Sequence, residues 1–361
     1  MKKICIVTHG LGANGIDTFV KNIVIALDKK EFDVTVLMAV DNGGAEQFHE
    51  SLVKECGVKV DRLTDLDGLK KKLKFYKVLK NKLKQLGPFD VLHANMDMFN
   101  GVVLKAGKAV KIPLCIAHSH TSGSQNELKS KESLLSKAYK KTMRKLIWNN
   151  SNVRLGCSSM TMDYLYTSKW KRDKHSVVLY NPIEFKNSVT TTKENKIFSV
   201  GRCVEVKNPF FVIDVIYKLQ QKRQDFVFYW IGDGPLFSKI KERVKELNIE
   251  KYFVCLGIRK DVLDIIEAGK IFLQPSIFEG LSLALLEAQS LGLYCLTSAN
   301  SSKETDCGLV EYLPIDNVDV WVDRCNELLD CENKKPNLEK LAQFKIENVM
   351  NKLSKIYKGE L

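Results

Sequence analysis

The feature that most constrains this chain is an alternation, repeated twice, of short β-rich apolar runs with stretches of helical period. In the first half, strands are predicted at 2–8, 32–40, 57–61, 89–93, 113–118, 153–157 and 175–180. Helices fall between them, most clearly at 16–28, 69–86, 99–109 and 130–148. Asn181-Pro182 and the polar stretch 189–195 then break the pattern and read as a linker. It restarts with strands at 196–200, 225–231, 252–256, 270–275 and 293–298. Helices accompany them at 209–222, 235–247, 261–268, 283–291 and 317–330, and a charged helical stretch, 337–358, ends the pattern. Strand–helix alternation implies parallel sheets covered by helices on both faces. The expected fold class is α/β, with two tandem doubly wound Rossmann-like domains facing an interdomain cleft. The expected boundaries are 1–188, 189–336 and a closing segment, 337–361, that packs back on the first domain. Ligands of such sheets bind outside the carboxyl ends of the strands.

The length of 361 residues agrees with two domains, and 45% apolar with 27% charged residues is a globular rather than a disordered balance. The longest apolar stretch, 280–299, is interrupted by Glu287 and Gln289 and does not read as a membrane span. The first apolar run breaks at His9-Gly10, too early for a secretory leader. None of the ten cysteines forms a C-x-x-C pair, and Cys5, Cys115 and Cys255 sit inside apolar runs. They read as reduced thiols of a cytoplasmic protein.

The formal charge of +13 is unevenly placed. Residues 1–180 hold 31 Lys and Arg against 17 Asp and Glu, a net of +14, and the remainder nets −1. Eight lysines crowd 69–86, alongside an apolar stripe of Leu69, Leu73, Tyr76, Leu79, Leu83 and Leu86. Seven basic residues lie in 128–148, beside Leu134, Leu135, Ala138, Met143, Leu146 and Ile147. Two readings stand for these helices: a basic surface lying on anionic lipid, or solvated faces of helices packed on a sheet. Nucleic-acid binding is not expected, because no recognition motif accompanies the charge.

Gly10-x-Gly12-x-x-Gly15 follows the first strand and opens a helix, and Asp41 closes the second strand. An NAD(P)-dependent oxidoreductase is therefore an alternative, although Asp41 lies 26 residues past Gly15 where ~20 is usual. The loop also reads as a helix N-terminus approached by some other phosphate, or as a plain tight turn.

A second constellation gathers at strand ends of the second half. Gly201-Arg202 and Lys207-Asn208-Pro209 put two cations beside a helix N-terminus, which suits a diphosphate. Ile231-Gly232-Asp233-Gly234-Pro235-Leu236 is a strand followed by a turn. Glu279 lies in a loop, Ser282 is a plausible N-cap, and Glu287 falls on the helix among leucines and alanines, where a carboxylate needs a partner. A ligand hydroxyl or a buried ion pair would satisfy it.

These motifs, with Leu256-Gly257-x3-Asp261-Val262 and Glu279-x7-Glu287, occur in an order and spacing that resembles glycosyltransferase family 4, retaining enzymes of the GT-B fold. The bacterial capsule and exopolysaccharide branch is the most similar. Asn14-Gly15-Ile16-Asp17-Thr18-Phe19 resembles its Gly-Gly-Ile-Glu-Thr-Phe loop, with Asn14 and Asp17 as departures, and Ile116-Ala117-His118-Ser119-His120 resembles its histidine-bearing strand end.

The resemblance implies transfer of a sugar from a nucleotide sugar, by family weight a UDP-sugar, to a saccharide acceptor linked to a polyprenyl diphosphate. It implies no cofactor and no metal, and places the chain in the cytoplasm, peripheral on the inner face of the membrane. By resemblance, Arg202, Lys207 and Gly15 hold the donor diphosphate and Glu287 the ribose. Ile258 and Arg259 meet the base, mainly through backbone. Glu279, with Gly280, Leu281 and Ser282, holds the donor sugar. His118 serves the donor sugar and acceptor, with His120 as its fallback, while a purely structural role stays open for it and for His93. Arg202, Lys207, Glu279 and His118 are the implied catalytic set, with Glu279 either a covalent nucleophile or only a sugar ligand.

Overall fold

A computed structural model describes residues 1–361 except 41, 64–68, 122–132, 184, 187–191 and 333, and only the backbone of 42 and 69–73. The chain forms two compact units, Met1–Pro182 with Phe344–Leu361, and Ile183–Gln343.

The first unit is built on β1 (Lys2–Thr8), β2 (Phe32–Met38), β3 (Lys59–Arg62), β4 (Val91–Asn95), β5 (Leu114–Ser119), β6 (Val153–Gly156) and β7 (Ser176–Val178). Among the described residues they form one parallel sheet in the order β3-β2-β1-β4-β5-β6-β7. The second unit contains β8 (Glu194–Val200), β9 (Val227–Ile231), β10 (Phe253–Gly257), β11 (Gly269–Gln274), β12 (Tyr294–Ser298) and β13 (Val310–Leu313). Their order, β10-β9-β8-β11-β12-β13, is also parallel throughout. Central strands are apolar on successive residues because helices cover both faces; Ile4, Cys5, Ile6 and Val7 have no exposed surface. In both sheets the strand order reverses beside the first strand, so consecutive loops diverge there and leave a crevice at the carboxyl ends.

Helix starts follow from local chemistry. Asn14 Oδ1 accepts the Ile16 and Asp17 N–H groups at 3.0 Å, which opens the helix Gly15–Ala26. Ser282 Oγ accepts the Leu285 N–H at 3.3 Å and caps Leu283–Ser290, the role its position predicts. Pro209 begins Pro209–Lys222, preceded by Asn208 in the left-handed region at φ 53°.

The structure departs from the sequence reading in several places. The units divide at 182 and 343 rather than at 188 and 336. Of the polar linker, 189–191 lie outside the described residues, while Glu194 and Asn195 already belong to β8, the Glu194 N–H bonding the Ala268 carbonyl. The stretch 337–358 is two helices, Leu338–Ala342 and Ile346–Lys358, interrupted where Phe344 is fully buried. Strand β13 and the helices Glu50–Glu55 and Ser159–Tyr166 were not expected, being short and without a full apolar period. The last is opened by a capping box from Ser158 to Thr161, not the usual glutamate.

The two basic helices also part company. On Leu69–Leu86, Phe75, Leu79 and Leu83 are buried, so that part of the stripe packs on the protein and cannot lie on lipid; Leu69 and Leu73 side chains lie outside the description. On Leu134–Asn150, Ile147 is buried but Leu134 and Leu135 are each 84% exposed. No helix among the described residues is long and apolar enough to cross a membrane.

The closing helix completes the first unit's core: Val349, Met350, Leu353, Ile356 and Tyr357 cluster with Ile4, Ile6, Phe19 and Val20. Leu353 has no exposed surface. Leu353→Ala is expected to cost about 2–5 kcal/mol by removing buried methyl groups and leaving a cavity, measurable as a shift in the urea midpoint.

Candidate functional site

Each unit carries chemistry at its strand ends, and the two sets differ in kind. In the first unit, β4 and β5 place His93 and His118 side by side with no exposed surface. Their rings are nearly parallel, at 9°, and His93 Nε2 lies 3.1 Å from His118 Nδ1. Behind them, Tyr357 of the closing helix reaches His93 Nδ1 at 2.7 Å. His120, just past β5, sits 4.2 Å from the His118 ring by centroids, and its Nε2 bonds Asn95 Oδ1 at 2.8 Å. Asp97 Oδ1 accepts the His120 N–H at 2.9 Å and fixes that turn, while Phe19 packs edge-on against His118. Among the described residues, no hydrogen-bond partner meets the buried atoms His118 Nε2 and His120 Nδ1.

Burial penalises the charged form of all three rings. It lowers His93 to about 3 and His120 to about 3, the latter helped by repulsion from His93. His118 is pushed well below its usual range by burial, then by His120 and His93.

The glycine loop after β1 is bound to protein. Gly10, Gly12 and Gly15 all lie outside the left-handed region. A Cβ on Gly10 would collide with Gln47 Oε1, which accepts the Leu11 N–H at 2.5 Å. A Cβ on Gly12 would sit 3.1 Å from Asp17 Oδ2, which accepts the Gly12 N–H and the Asn14 amide, each at 2.7 Å. Burial nonetheless pushes Asp17 up to about 6. Two of the three glycines thus accommodate protein side chains rather than a pyrophosphate, and Asp41 lies outside the described residues. Only Gly15, exposed at the helix start, has open space around it.

In the second unit, the loops after β8, β9 and β10 are laced together. The Cys203 N–H bonds Asp233 O at 3.0 Å, Leu236 N–H bonds Cys203 O at 3.0 Å, and Gly232 N–H bonds Gly257 O at 2.8 Å. Gly232 adopts φ 139° so tightly against Gly201 that a Cβ would collide with the Gly201 carbonyl. The turn seen in sequence therefore fixes the backbone that presents Arg202. The Arg202 side chain is exposed and meets no carboxylate among the described residues. Lys207 packs its stem 3.4 Å from the Cβ position of Gly201 and pairs with Glu279. Glu279 Oε2 also accepts from Ser276 Oγ at 3.3 Å, and its carbonyl takes the Ser302 N–H at 3.0 Å.

Arg202, Lys207 and Glu279 are thus gathered at the ends of β8 and β11, with Gly280, Leu281 and Ser282 running into the capped helix. Glu287 is half-buried on that helix, a correction to the buried setting expected from its apolar neighbours. Ile258 is 59% exposed, and Arg259 is held by Asp261 through bonds of 2.8 and 2.6 Å, which leaves its side chain committed. The sequence reading missed Tyr357, Asn95, Asp97 and the bonded role of His93. An apolar strand that ends in histidine beside another such strand was the available signal. Among the described residues, no cluster of three or more His, Cys, Asp or Glu is arranged to hold a metal ion.

The neutral histidines make folding acid-sensitive. Their ordinary value is 6.5, so below it the unfolded chain takes up protons that His93 and His118 refuse, each worth ~1.4 kcal/mol per pH unit. That stability is complete above about 6.5 and is lost as pH falls. Asp17 acts oppositely, holding a proton in the fold between its ordinary 3.8 and about 6. His120 is lowered by burial in the same way, and burial raises Asp97 as it does Asp17; three bases outweigh two acids, so thermal unfolding scanned from pH 8 to pH 5 is expected to show a midpoint that drops below about 6.5.

Comparison with known proteins fits both units. The family model "Glycosyltransferase Family 4" matches residues 13–186, and "Glycosyl transferases group 1" matches 181–344. The glycosyltransferase-named protein EpsF of Bacillus subtilis (strain 168) is 24% identical over 85% of this chain and 82% of its own. An Escherichia coli protein named UDP-Gal:alpha-D-GlcNAc-diphosphoundecaprenol alpha-1,3-galactosyltransferase is 26% identical over 85% and 91%. The structure of Anabaena HepE, solved with UDP and glucose, superposes with a TM-score of 0.76 at 13% identity, over 99% of this chain and 100% of that one. That likeness establishes the GT-B fold, and the two models together leave only the chain's ends unmatched. With its paired parallel sheets, its laced Gly201–Gly234 loops and its Glu279 and Glu287 on one loop and helix, the chain belongs to the group 1, family 4 glycosyltransferases.

Proposed function

We propose that this glycosyltransferase moves a sugar from a UDP-sugar to a lipid-linked saccharide, with retention of configuration and without a metal ion. One observation carries the donor half: Arg202 is an exposed cation with no carboxylate partner among the described residues, at the end of β8, the switch point of the second sheet. A nucleoside diphosphate develops charge as it leaves, and fixed cations there lower the barrier. Lys207 pairs with Glu279. On donor binding that pair would divide, Lys207 turning to phosphate and Glu279 to sugar hydroxyls. Glu287 would take the ribose, Ile258 and Arg259 the base through backbone, and Gly280, Leu281 and Ser282 the sugar. Gly15 would let the first unit's helix N-terminus approach phosphate.

In the reaction proposed, the bond from the anomeric carbon to the phosphate oxygen breaks as the bond to the acceptor oxygen forms on the same face. The acceptor's proton passes to the leaving phosphate, so charge and atoms balance without a metal. UDP as donor nucleotide is supported by the E. coli relative's name and by HepE's bound UDP. The lipid-linked acceptor is supported by the same relative, whose name specifies a diphosphoundecaprenol substrate.

Such an acceptor lies at a membrane, and the first unit has a surface suited to one. Leu134 and Leu135 stand exposed at the start of their helix, with Lys137, Lys141 and Lys145 exposed along it. Apolar side chains that enter the lipid interface, flanked by lysines worth about 1 kcal/mol each near an anionic leaflet, give reversible attachment to the cytoplasmic face.

Two measurements test these readings. UDP at 100 times its dissociation constant should stabilise the chain by ~2.7 kcal/mol, a thermal shift of a few degrees, and Arg202→Ala should abolish it. Stabilisation by NAD⁺ alone, indifferent to Arg202→Ala, would overturn the donor assignment. In flotation, the chain should bind vesicles containing phosphatidylglycerol and be released by salt, and Leu134→Ser with Leu135→Ser should weaken binding. Equal binding to neutral vesicles at high salt would overturn the membrane assignment.

A further inference from the structure

The first unit holds a basic cavity at the opposite end of its sheet from the histidines. Its volume is about 640 Å³, and it is lined by Trp148, Ser168, Lys169, Lys171, Arg172 and Asp173. The loop that carries most of these residues leads into β7 and is tied to the start of β6, where the Arg154 N–H bonds the His175 carbonyl at 2.9 Å. The cavity therefore lies at the amino ends of the strands, whereas His118 and His120 stand at the carboxyl ends. An anion held there is not the reacting phosphate.

What the cavity can bind depends on which of its charges are already spent. Asp173 accepts from Arg154 Nε at 2.7 Å and from Ser176 Oγ at 2.5 Å. Arg154 is buried, so this pair is fixed and its charges cancel. Lys171 reaches Asp163 at 3.4 Å, but both side chains are about half exposed, and such a surface pair contributes little and parts readily. Lys169 and Arg172 meet no carboxylate among the described residues. Trp148 forms a wall, with the Arg154 guanidinium 4.6 Å and Lys169 Nζ 5.8 Å from its ring centroid. Its indole N–H has no acceptor among the described residues. Two unspent cations, a third held loosely and an indole donor, on a wall that Arg154 keeps in place, are a donor set for a phosphate group.

Trp148 also closes a stripe along the helix Leu134–Asn150. Leu134, Lys137, Lys141, Lys145 and Trp148 follow at spacings of three and four, within about 80° of one another around the axis. Leu134 and the three lysines are exposed, and the buried Ile147 lies off the stripe. The helix carries five basic residues and no acid. We infer that the cavity binds the phosphate of an anionic phospholipid headgroup when this stripe lies along a membrane surface. Leu134 then enters the interface at one end, and the headgroup sits between Trp148 and Arg172 at the other, about 21 Å along the helix. The surrounding lysines draw the chain to the leaflet as a whole, and the cavity adds a contact to a single lipid. The inference rests on the membrane reading for the source of the phosphate, while the phosphate site stands on its own side chains.

Monomeric dihexanoyl phosphatidylglycerol carries the headgroup without a bilayer and so separates the two. Titrated into the full-length ¹⁵N-labelled protein, it should shift the Trp148 indole N–H signal saturably, that signal being assigned by its loss in Trp148→Phe. The shift should be absent in Lys169→Ala with Arg172→Ala, whose side chains are exposed and not needed for packing. The same double variant should bind phosphatidylglycerol vesicles about tenfold more weakly. Lys77→Ala with Lys84→Ala removes equal charge from exposed positions on a helix that does not line the cavity, and should weaken binding less. No saturable indole shift, or an equal loss in the two double variants, would overturn the inference. So would inorganic phosphate that produces the same shift at the same concentration, which would make this a site for free phosphate. A saturable shift with the short-chain lipid but no vesicle binding would keep the headgroup site and overturn the membrane attachment. Vesicle binding that is lost in Leu134→Ser with Leu135→Ser, without any indole shift, would do the reverse.

Discussion

In a parallel sheet every backbone ladder is buried under helices, so reactive side chains are confined to the loops at the carboxyl ends. That constraint organises both units. The strand order reverses at β1 and β4 in one sheet and at β8 and β11 in the other. At those two points neighbouring loops turn away from each other. Asn95 ends β4, Asp97 and His120 stand just past β4 and β5, and Arg202 and Glu279 stand past β8 and β11. None of these side chains could be held so firmly by loops alone. Asp97 pins the His120 backbone, Ser302 pins the Glu279 carbonyl, and Gly232 packs against Gly201 so closely that no side chain fits.

Polar groups buried among apolar ones must be satisfied or neutral, and the first unit uses both solutions. Its buried histidines are held neutral, and two of them, His93 and His118, stand in a hydrogen-bonded row with Tyr357. Asp17 keeps one oxygen on Gly12 and Asn14, and its other oxygen has no partner among the described residues. The departures from the family loop, Asn14 and Asp17, are therefore mutually consistent: the amide caps the helix and also bonds the carboxylate three residues on.

The fold was legible because period and composition act locally. Both sheets, most strand positions and the caps at Ser282 and Pro209 follow from residues within a few positions of each other. The stretches that make up the second unit's candidate site were legible for the same reason: Gly201 to Pro209 and Glu279 to Glu287 are short, contiguous stretches with distinctive chemistry. What escaped was whatever depends on distant partners. Nothing near Tyr357 says that its hydroxyl meets His93, 264 residues away. Nothing near Gly10 says that Gln47 fills the space a pyrophosphate would need. The apolar stripes of the two basic helices look alike in sequence, yet one buries Phe75, Leu79 and Leu83 while the other leaves Leu134 and Leu135 exposed. Burial of a stripe depends on what the fold brings to it, which periodicity does not encode.

Charge is distributed against naive expectation, and the contrast separates the two kinds of chemistry. The half of the chain with net charge +14 has a neutral centre, whereas the half with net −1 holds the exposed Arg202 and the Lys207–Glu279 pair. Excess lysine on a surface acts at the range of a Debye length, about 8–10 Å, and serves attachment and steering. A phosphate site needs the opposite design, a few cations fixed by short loops in an otherwise balanced unit, so that the ligand is held at one place rather than drawn to a whole face. A neutral imidazole differs from both, because a charged imidazolium would be a donor on both nitrogens and could not accept. Burial keeps His118 and His120 neutral, so each ring retains one donor and one acceptor nitrogen.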